Sequence, residues 1–506
     1  MPAAFGPAGG GTEERNRYHT RMRNRLMAPL LLLLFWFAPA VLANGLPDLG
    51  EASQVYLTPA MEQRIGAQAM QEIRLHDPTY FDDPEITGYI NQLGMRLVAQ
   101  SDDAGQPFKF FVLKDPTINA FAMPGGYVGV HTGLILAAHS ESELASVLAH
   151  EISHVTQHHM ARQLGIQSQA QLPMLLSMAV AILAARSNSD VSMGAMMAGQ
   201  AGAMQHQLAY SRDFEREADR MGLKLLERAG FDVRAMATFF KRLQKNGRLY
   251  ENNAPSYLLT HPLTTERIAD MENRIATMPY RQVADSLDFQ LVRAKLQAEE
   301  GPPGAAVAAF TARVQAHKFG DEIAARYGLA RAQLRAKNYA AAELQMGELR
   351  RLKARSAMIE SLAAQLQMDQ NDTDGALKTL RAAQLLYPHE RALAYALVDD
   401  LLAVGQPQQA LRVATSELQN YPSDLHMHSL QAKTYAALGK HLEQHRALAE
   451  VYVLQGQLPA AIEQLHLAQR ADDGDFYERS AVDSRLRELK QRQAREAKDA
   501  KDTKQK

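Results

Sequence analysis

A repeat of 34 residues in the C-terminal half limits most strongly what this chain can fold into. Small residues recur with that spacing at Ala308, Ala342, Ala376 and Ala410. Turn positions recur with the same spacing at Lys337, Asn371, Gly405 and Gly439. Such a period, with small residues where two helices touch, is typical of tetratricopeptide (TPR) helix pairs. We therefore predict an all-α TPR solenoid over residues 286–480.

The end of this array departs from the ideal spacing. Pro388 and Pro422 keep it and are expected to end the second helices of two units. Gly456, however, follows Gly439 by only 17 residues, so the last units are expected to act as a cap. Residues 481–506 are strongly charged, and we predict a fraying helix followed by a disordered tail.

A solenoid of helix pairs offers a concave surface that can hold protein segments. Three aromatic side chains of the array either line that surface or fill the core between helices. They are Tyr327, Tyr395 and Tyr435.

The first 43 residues have the features of a secretory signal peptide. Five arginines precede an apolar run that begins at Leu26, and Val41-Leu42-Ala43 offers a cleavage point. The alternative is an uncleaved anchor, but the apolar run is short for a membrane span. Loss of this segment changes the formal charge from −1 to −4. Neither value shows the excess of positive charge that indicates nucleic-acid binding. The chain has no cysteine, so an exported protein of this sequence must be stabilised without disulfides.

The pentapeptide His150-Glu151-Ile152-Ser153-His154 lies within a helical apolar pattern over residues 144–155. Histidines four residues apart share one helix face, which suits two ligands of a tetrahedral zinc ion. The glutamate between them would face the open side of the metal and take a proton from bound water. Ser140 with Glu143 forms a capping pattern at the start of this helix. The motif predicts a zinc site that cleaves peptide bonds.

Such a site needs a third protein ligand. The continuation HExxHxxGxxH is excluded, because Gln157 and Met160 stand where glycine and histidine would be required. His158 and His159 are interpreted as polar residues near the helix end rather than as ligands.

A second helical pattern after residue 211 supplies the missing carboxylate. Glu215 and Asp219 are four residues apart on one face. Glu215 would complete a His2Glu site, and Asp219 would orient a ligand histidine or assist proton transfer. Glu217 points away from Asp219 and is expected to be solvated or ion-paired.

Three blocks together, residues 119–126, 144–154 and 215–219, resemble the gluzincin family of CAAX-prenyl-protease-like and HtpX-like peptidases. A zincin-type α+β metallopeptidase domain over residues 44–285 followed by a TPR array is most similar to the periplasmic members of that family. The resemblance implies one Zn²⁺ per chain held by His150, His154 and Glu215, with Glu151 and Asp219 as catalytic residues. It also points to His261, which is either a further metal or transition-state contact or only part of a capped turn.

The same resemblance implies a periplasmic endopeptidase for misassembled outer-membrane proteins, with the TPR array contacting the barrel-assembly machinery. The alternative is a chaperone or adaptor of that machinery in which proteolysis is rare or latent. A membrane-embedded prenyl-peptide protease is disfavoured, because long apolar stretches are missing after residue 43.

Two further segments have residue patterns that predict their local structure. Phe110 to Leu113 is a short apolar strand, and Gly125-Gly126 predicts a hairpin turn into a second strand. Ala120 to Met123 is expected near a sheet edge that binds substrate, or in a purely structural hairpin. Residues 172–204 are rich in Met, Gly and Ala and predict a buried helical pair. The alternative for that segment is a mobile cover over the cleft, or a surface for peripheral contact with membrane or client.

Overall fold

The computed structural model describes residues 57–166, 212–249, 256–317 and 320–504. Within these ranges the chain is mainly α-helical with one small sheet, as predicted. The predicted leader over residues 1–43 and the segment 172–204 lie outside the described residues. None of the helices in the described ranges combines the length and apolar character needed to cross a membrane.

The part of the chain that carries the HExxH motif combines helices with three strands. Numbered along the described chain, its strands are β1 (Lys109–Leu113), β2 (Ala120–Met123) and β3 (Tyr127–His131). Its helices are α1 (Pro59–His76), α2 (Pro84–Val98), α3 (Thr132–Ala137), α4 (Glu141–Thr156), α5 (His159–Ile166), α6 (Arg212–Arg228), α7 (Arg234–Leu249), α8 (Ser256–Thr260) and α9 (Thr265–Ala276).

The sheet has the order β1-β3-β2, with β3 parallel to β1 and antiparallel to β2. The predicted strand at Phe110 to Leu113 is therefore present, but it is not the hairpin partner of the strand after Gly126. That partner is β2, because the turn Pro124–Gly126 follows it directly and its glycines have φ of 74° and 78°. Ala120–Met123 thus forms the edge strand itself.

Helix α4 carries the HExxH motif through the centre of this domain. Its residues from Glu141 to His154 are all buried. The sheet packs against it through β2, and α6 and α7 cover other faces. Gly222 allows α6 to come close, since a Cβ there would lie 3.3 Å from the backbone nitrogen of His150. The packing fixes the motif in the interior of the domain.

The C-terminal part is an array of helices in antiparallel pairs. The helices are α10 (Leu287–Glu299), α11 (Pro303–Gln315), α12 (Glu322–Arg335), α13 (Tyr339–Arg351), α14 (Ala357–Asp369), α15 (Thr373–Leu386), α16 (Arg391–Ala403), α17 (Pro407–Asn420), α18 (Leu425–Ala437), α19 (His441–Leu454), α20 (Leu458–Arg470) and α21 (Phe476–Lys504). Helices α15 and α17 end just before Pro388 and Pro422, as predicted.

The repeating turn positions share one backbone conformation. Lys337, Asn371, Gly405 and Gly439 have φ of 59°, 64°, 72° and 67°. The next residue along donates its N–H to a carbonyl five residues earlier, as from Lys440 to Tyr435 at 2.9 Å. These are Schellman-type helix ends in which a left-handed residue satisfies the last carbonyls. The 34-residue period therefore corresponds to a repeated backbone turn.

The first predicted repeat was placed in the wrong register. Ala342, Ala376 and Ala410 are buried, but Ala308 is exposed. The buried counterpart is Ala306, and the preceding turn is Gly301 with φ of 56°. Both lie 36 residues before the matching positions of the next unit. The first unit is therefore two residues longer than the others.

Packing decides the burial of the three tyrosines and of the start of the last helix. Tyr327 and Tyr395 are buried in the core between helices, while Tyr435 is only partly covered. Residues 481–504 belong to helix α21, so the predicted helix is present there, and the disordered tail expected after it stays a prediction. Val482, Leu486 and Leu489 recur at helical spacing and pack against α19 and α20. Their burial gives the start of this charged helix an apolar face.

The array packs against the motif-bearing domain, and both lie within the compact unit formed by residues 52–506. Glu141, the first residue of α4, accepts hydrogen bonds from Tyr89 Oη (3.0 Å), Ser286 N (3.1 Å) and Ser286 Oγ (2.7 Å). The backbone N–H of Glu141 donates in turn to Asp285 at 2.7 Å. The residues that lead into the array thus cap the helix that carries the motif.

Candidate metal centre

Local sequence determines where the motif helix α4 begins and ends. Ser140 is its N-cap, and its hydroxyl accepts from the N–H of Glu143 at 3.3 Å. Glu143 in turn accepts from the N–H of His139 at 2.6 Å and pairs with Arg242. The predicted capping pattern is confirmed. After the helix, His158 has φ of 50°, which turns the chain into α5.

Four buried side chains converge on one point. One donor atom from each of His150, His154, Glu215 and His261 lies within 4.8 Å of the others. The Nε2 atoms of the two motif histidines are 3.0 Å apart, and each lies 3.5 Å from a carboxylate oxygen of Glu215. The sequence-predicted histidines and carboxylate therefore meet, although Glu215 lies on a different helix.

Glu151 stands beside this cluster with its carboxylate turned toward it. Its Oε1 is 3.6 Å from Nε2 of His261. Both carboxylate oxygens are buried, and neither makes a hydrogen bond of ordinary geometry within the described ranges. A buried carboxylate without such partners is costly unless a ligand satisfies it. The orphaned oxygens mark the place of a bound group.

His261 lies inside the cluster rather than near its rim. Its Nδ1 is 3.0 Å from Glu215 Oε1 and 3.4 Å from His150 Nε2. Its ring stacks on the ring of Tyr257, with centroids 4.8 Å apart. The backbone N–H of His261 donates to the backbone carbonyl of Tyr257 at 2.9 Å. A turn that only capped a helix would not need a fully buried imidazole at this point.

The motif histidines are held from behind by groups on other elements. His150 Nδ1 lies 3.1 Å from Asp219 Oδ1, which leaves Nε2 directed into the cluster. His154 Nδ1 lies 2.9 Å from Nδ1 of the buried His159. His159 was predicted to be a polar residue near the helix end rather than a ligand, and it lies outside the ligand cluster but is buried. It is buried because α5 folds back against Phe214 of α6, whose ring stacks on the imidazole at 4.8 Å.

Arg267 is the functional neighbour that the sequence did not reveal. Its guanidinium donates to both oxygens of Asp219 at 2.8 Å and lies 2.7 Å from Glu215 Oε2. It is 2% exposed, so one buried cation serves two buried carboxylates. Thr264 is the N-cap of the helix that carries this arginine, and its side chain accepts from the N–H of Arg267.

Glu217 faces away from the centre, as its helical position predicts. It pairs with Arg162 at 2.8 Å and lies 3.3 Å from His159 Nε2. The expectation that it is ion-paired is confirmed. Burial lowers the pKa of His159 to about 4 despite this carboxylate, so the imidazole beside His154 is neutral at pH 7.

The electrostatics of the cluster favour a cation. Burial lowers the pKa of His150, but Asp219 and Glu215 outweigh it and raise that pKa to about 9. Burial raises the pKa of Glu215, yet His261, His150 and Arg267 hold it well below its ordinary value. Burial raises the pKa of Glu151. The carboxylates around His150 thus favour positive charge at the point where its Nε2 meets the other donor atoms. The residues present fit a divalent cation.

Comparison with known proteins agrees with this geometry. Over 478 residues the chain is 33% identical to the beta-barrel assembly-enhancing protease of Escherichia coli strain K12, covering 94% of this chain and 98% of that protein. Residues 84–275 match peptidase family M48. The chain belongs to peptidase family M48. The predicted metallopeptidase identity is confirmed, and with it the family resemblance.

Other M48 relatives match smaller parts of the chain. A putative beta-barrel assembly-enhancing protease of Vibrio cholerae is 43% identical over 261 residues, covering 51% of this chain and 54% of that protein. The mitochondrial metalloendopeptidase OMA1 of Schizosaccharomyces pombe is 31% identical over 218 residues, covering 42% and 60%. The solved TPR domain of P58(IPK) is 15% identical to this chain, with a TM-score of 0.14. The match covers 70% of this chain and 93% of that chain, and a TM-score this low supports no conclusion about the repeats.

Proposed function

We propose that this chain is a periplasmic zinc endopeptidase that acts in the assembly and quality control of outer-membrane proteins. The observation that carries the proposal is the buried meeting of His150, His154 and Glu215, with Glu151 beside them. Two imidazole nitrogens and one carboxylate are the donor set of catalytic zinc sites that keep an open position. When bound there, zinc would lower the pKa of a water molecule and polarise the scissile carbonyl.

The chain's own residues would then perform the proton transfers and the positioning. Glu151 would accept the proton of the attacking water and deliver it to the leaving amine. Its raised pKa, caused by burial, suits a group that must hold a proton for part of the cycle. Asp219 would act mainly by positioning, because its oxygens are engaged by Arg267 and His150 rather than directed at Glu151.

The edge strand β2 gives the substrate a place to bind. It belongs to the sheet that packs directly on α4, and the backbone of Ala122 is among the groups that influence the Glu151 carboxyl. An extended peptide can add to such an edge through main-chain hydrogen bonds. We therefore propose that substrates lie along Ala120–Met123 with the scissile bond over Glu151.

The substrate class and location rest on the relatives and on the predicted leader. Proteins similar to this chain over nearly their whole length are named for beta-barrel assembly. We infer that misassembled outer-membrane proteins are the clients and that the TPR array contacts the barrel-assembly machinery. The predicted signal peptide would deliver the chain to the periplasm.

The decisive variant is Glu151→Gln, which removes the general base and keeps the shape of the site. We expect unchanged zinc content and fold but loss of peptide cleavage, measured by metal analysis and by a quenched fluorescent peptide. Glu227→Gln, at an exposed position of α6, is the matched control and should cleave normally. Activity of zinc-loaded Glu151→Gln equal to wild type would refute the mechanism.

The position of His261 supports a second candidate function. Because it lies within the ligand cluster, it can occupy the position that a substrate water would need. The chain would then serve mainly as a chaperone or adaptor with latent proteolysis. A complementation assay separates the two functions. If Glu151→Gln restores outer-membrane assembly as well as wild type, the scaffold function dominates. If Glu151→Gln does not restore assembly, proteolysis is the dominant function.

A further inference from the structure

A small cavity adjoins the candidate metal centre between the end of β2 and the last turn of α4. About 280 Å³ of space lies in it when the part open to solvent is counted, and the enclosed part has room only for a group the size of a water molecule or an ammonium ion. His154 and His158 form one wall, and Met123 to Gly125 form another. Glu62 of α1 closes the third side. The cavity is therefore placed to receive a substrate side chain.

Glu62 gives this cavity a negative charge. The residue is only 6% exposed, so its carboxylate is almost wholly removed from solvent. Its ionic neighbour in the described ranges is His158, whose Nδ1 lies at a distant 3.9 Å. A nearly buried carboxylate gains most from a directly paired cation. The cavity that it faces is the place where such a cation can enter.

The wall that carries Glu62 is rigid. The side-chain amide of Gln63 donates to the carbonyl of Gly125 at 2.9 Å. A Cβ at Gly66 would lie 1.9 Å from the carbonyl oxygen of Pro124, so only glycine permits this contact between α1 and the turn. Helix α1 cannot move away from the cavity without breaking this packing. The carboxylate is thus held beside the end of β2.

We propose that Glu62 is a specificity residue that selects substrates with lysine or arginine next to the scissile bond. This inference rests on the proposed peptidase function. A peptide added along β2 with its scissile bond over Glu151 would pass Met123 on one side. Successive side chains of an extended peptide alternate in direction, so one flanking side chain points into the cavity. A cationic end there would meet the Glu62 carboxylate.

The test uses the full-length, zinc-loaded protein and quenched fluorescent peptides. Peptides that differ only by Lys, Gln or Glu at each position flanking the cleaved bond are compared by kcat/KM. We expect wild type to favour Lys over Glu at one position by about tenfold or more. Glu62→Gln should abolish that preference, measured as the ratio of kcat/KM for the Lys and Glu peptides, and Glu62→Lys should reverse it. Glu72→Gln, partly exposed on the same helix, is the matched control.

Three outcomes would overturn the inference. Wild type without a charge preference at any flanking position would exclude the subsite. A preference that survives in Glu62→Gln would place its origin elsewhere. An equal loss for all peptides, together with a lower melting temperature, would show that Glu62 is structural. Failure of wild type to cleave any peptide would refute the proposed function as well, and is distinguishable from these three.

Discussion

Replacing Arg267 tests whether one buried cation stabilises the carboxylates of the metal centre. Its guanidinium bonds both oxygens of Asp219 at 2.8 Å and lies 2.7 Å from Glu215, and all three side chains are at most 3% exposed. Removing one partner of a buried ion pair costs about 3–5 kcal/mol, because the other charge stays buried. Arg267→Met should therefore remove a large part of a total stability of about 5–15 kcal/mol.

The measurement is thermal unfolding with chelator and with zinc. In metal-free protein we expect Arg267→Met to lower the melting temperature by on the order of 10 °C. Zinc should recover part of this loss, because a cation at the cluster would compensate Glu215. Arg267→Lys keeps the charge but not the bidentate hydrogen bonding, so its melting temperature should lie between those of wild type and Arg267→Met.

A double-mutant cycle shows whether the loss comes from the ion pair. Adding Asp219→Asn to Arg267→Met should cost less than the two single changes together, by about 1–3 kcal/mol. Arg274→Met is the control, since Arg274 lies on the same helix in an exposed pair with Asp270 and should change stability by less than about 0.5 kcal/mol. Strict additivity, or a metal-free Arg267→Met as stable as wild type, would refute the charge argument.

Four further substitutions address the array and its junction with the motif-bearing domain. Lys337→Gly should stabilise the protein by about 0.5–1 kcal/mol in denaturant unfolding, because φ at this turn is 59°, whereas Gly405→Ala at the equivalent turn should destabilise it. Burial, with Asp399 and Asp369, raises the pKa of Asp400 to about 6, so its ionisation opposes folding as pH rises through 6. Asp400→Asn should therefore gain about 1 kcal/mol at pH 7.5, after allowance for solvent screening, and little at pH 4; an equal gain at both values would contradict this. Glu141→Gln should lose about 1–3 kcal/mol in the same assay, because it weakens a buried acceptor of three hydrogen bonds, while Glu227→Gln should be neutral.

Patterns that depend on neighbouring residues were predicted correctly. The capping pair Ser140 and Glu143 starts the motif helix as expected, and the turns after Lys337 repeat every 34 residues. Helix caps and left-handed turns are determined by a few adjacent residues, so their signals survive in a single sequence. Where spacing alone was used, as at Ala308, a two-residue longer unit was enough to misplace the buried position.

Groups brought together from distant parts of the chain were found only partly. Glu215 and Asp219 could be predicted because the two motif histidines need a third protein ligand, and a carboxylate on a later helix was the remaining option. Arg267 had no such signal, since its partner Asp219 lies 48 residues away and a lone arginine in a helix is usually exposed. The burial of His159 also had no signal in the sequence, because it depends on α5 folding back on Phe214.

By itself, the sequence determined the helical repeat, the helix that carries His150, Glu151 and His154, and the metallopeptidase family. Tertiary structure decided what surrounds them: the Glu215 carboxylate 3.5 Å from both histidines, the placement of His261 within the cluster, and the arginine that offsets two buried charges. The physical reason is that backbone conformation follows local sterics and hydrogen bonds, whereas a site's charge balance depends on which distant side chains share one interior without water.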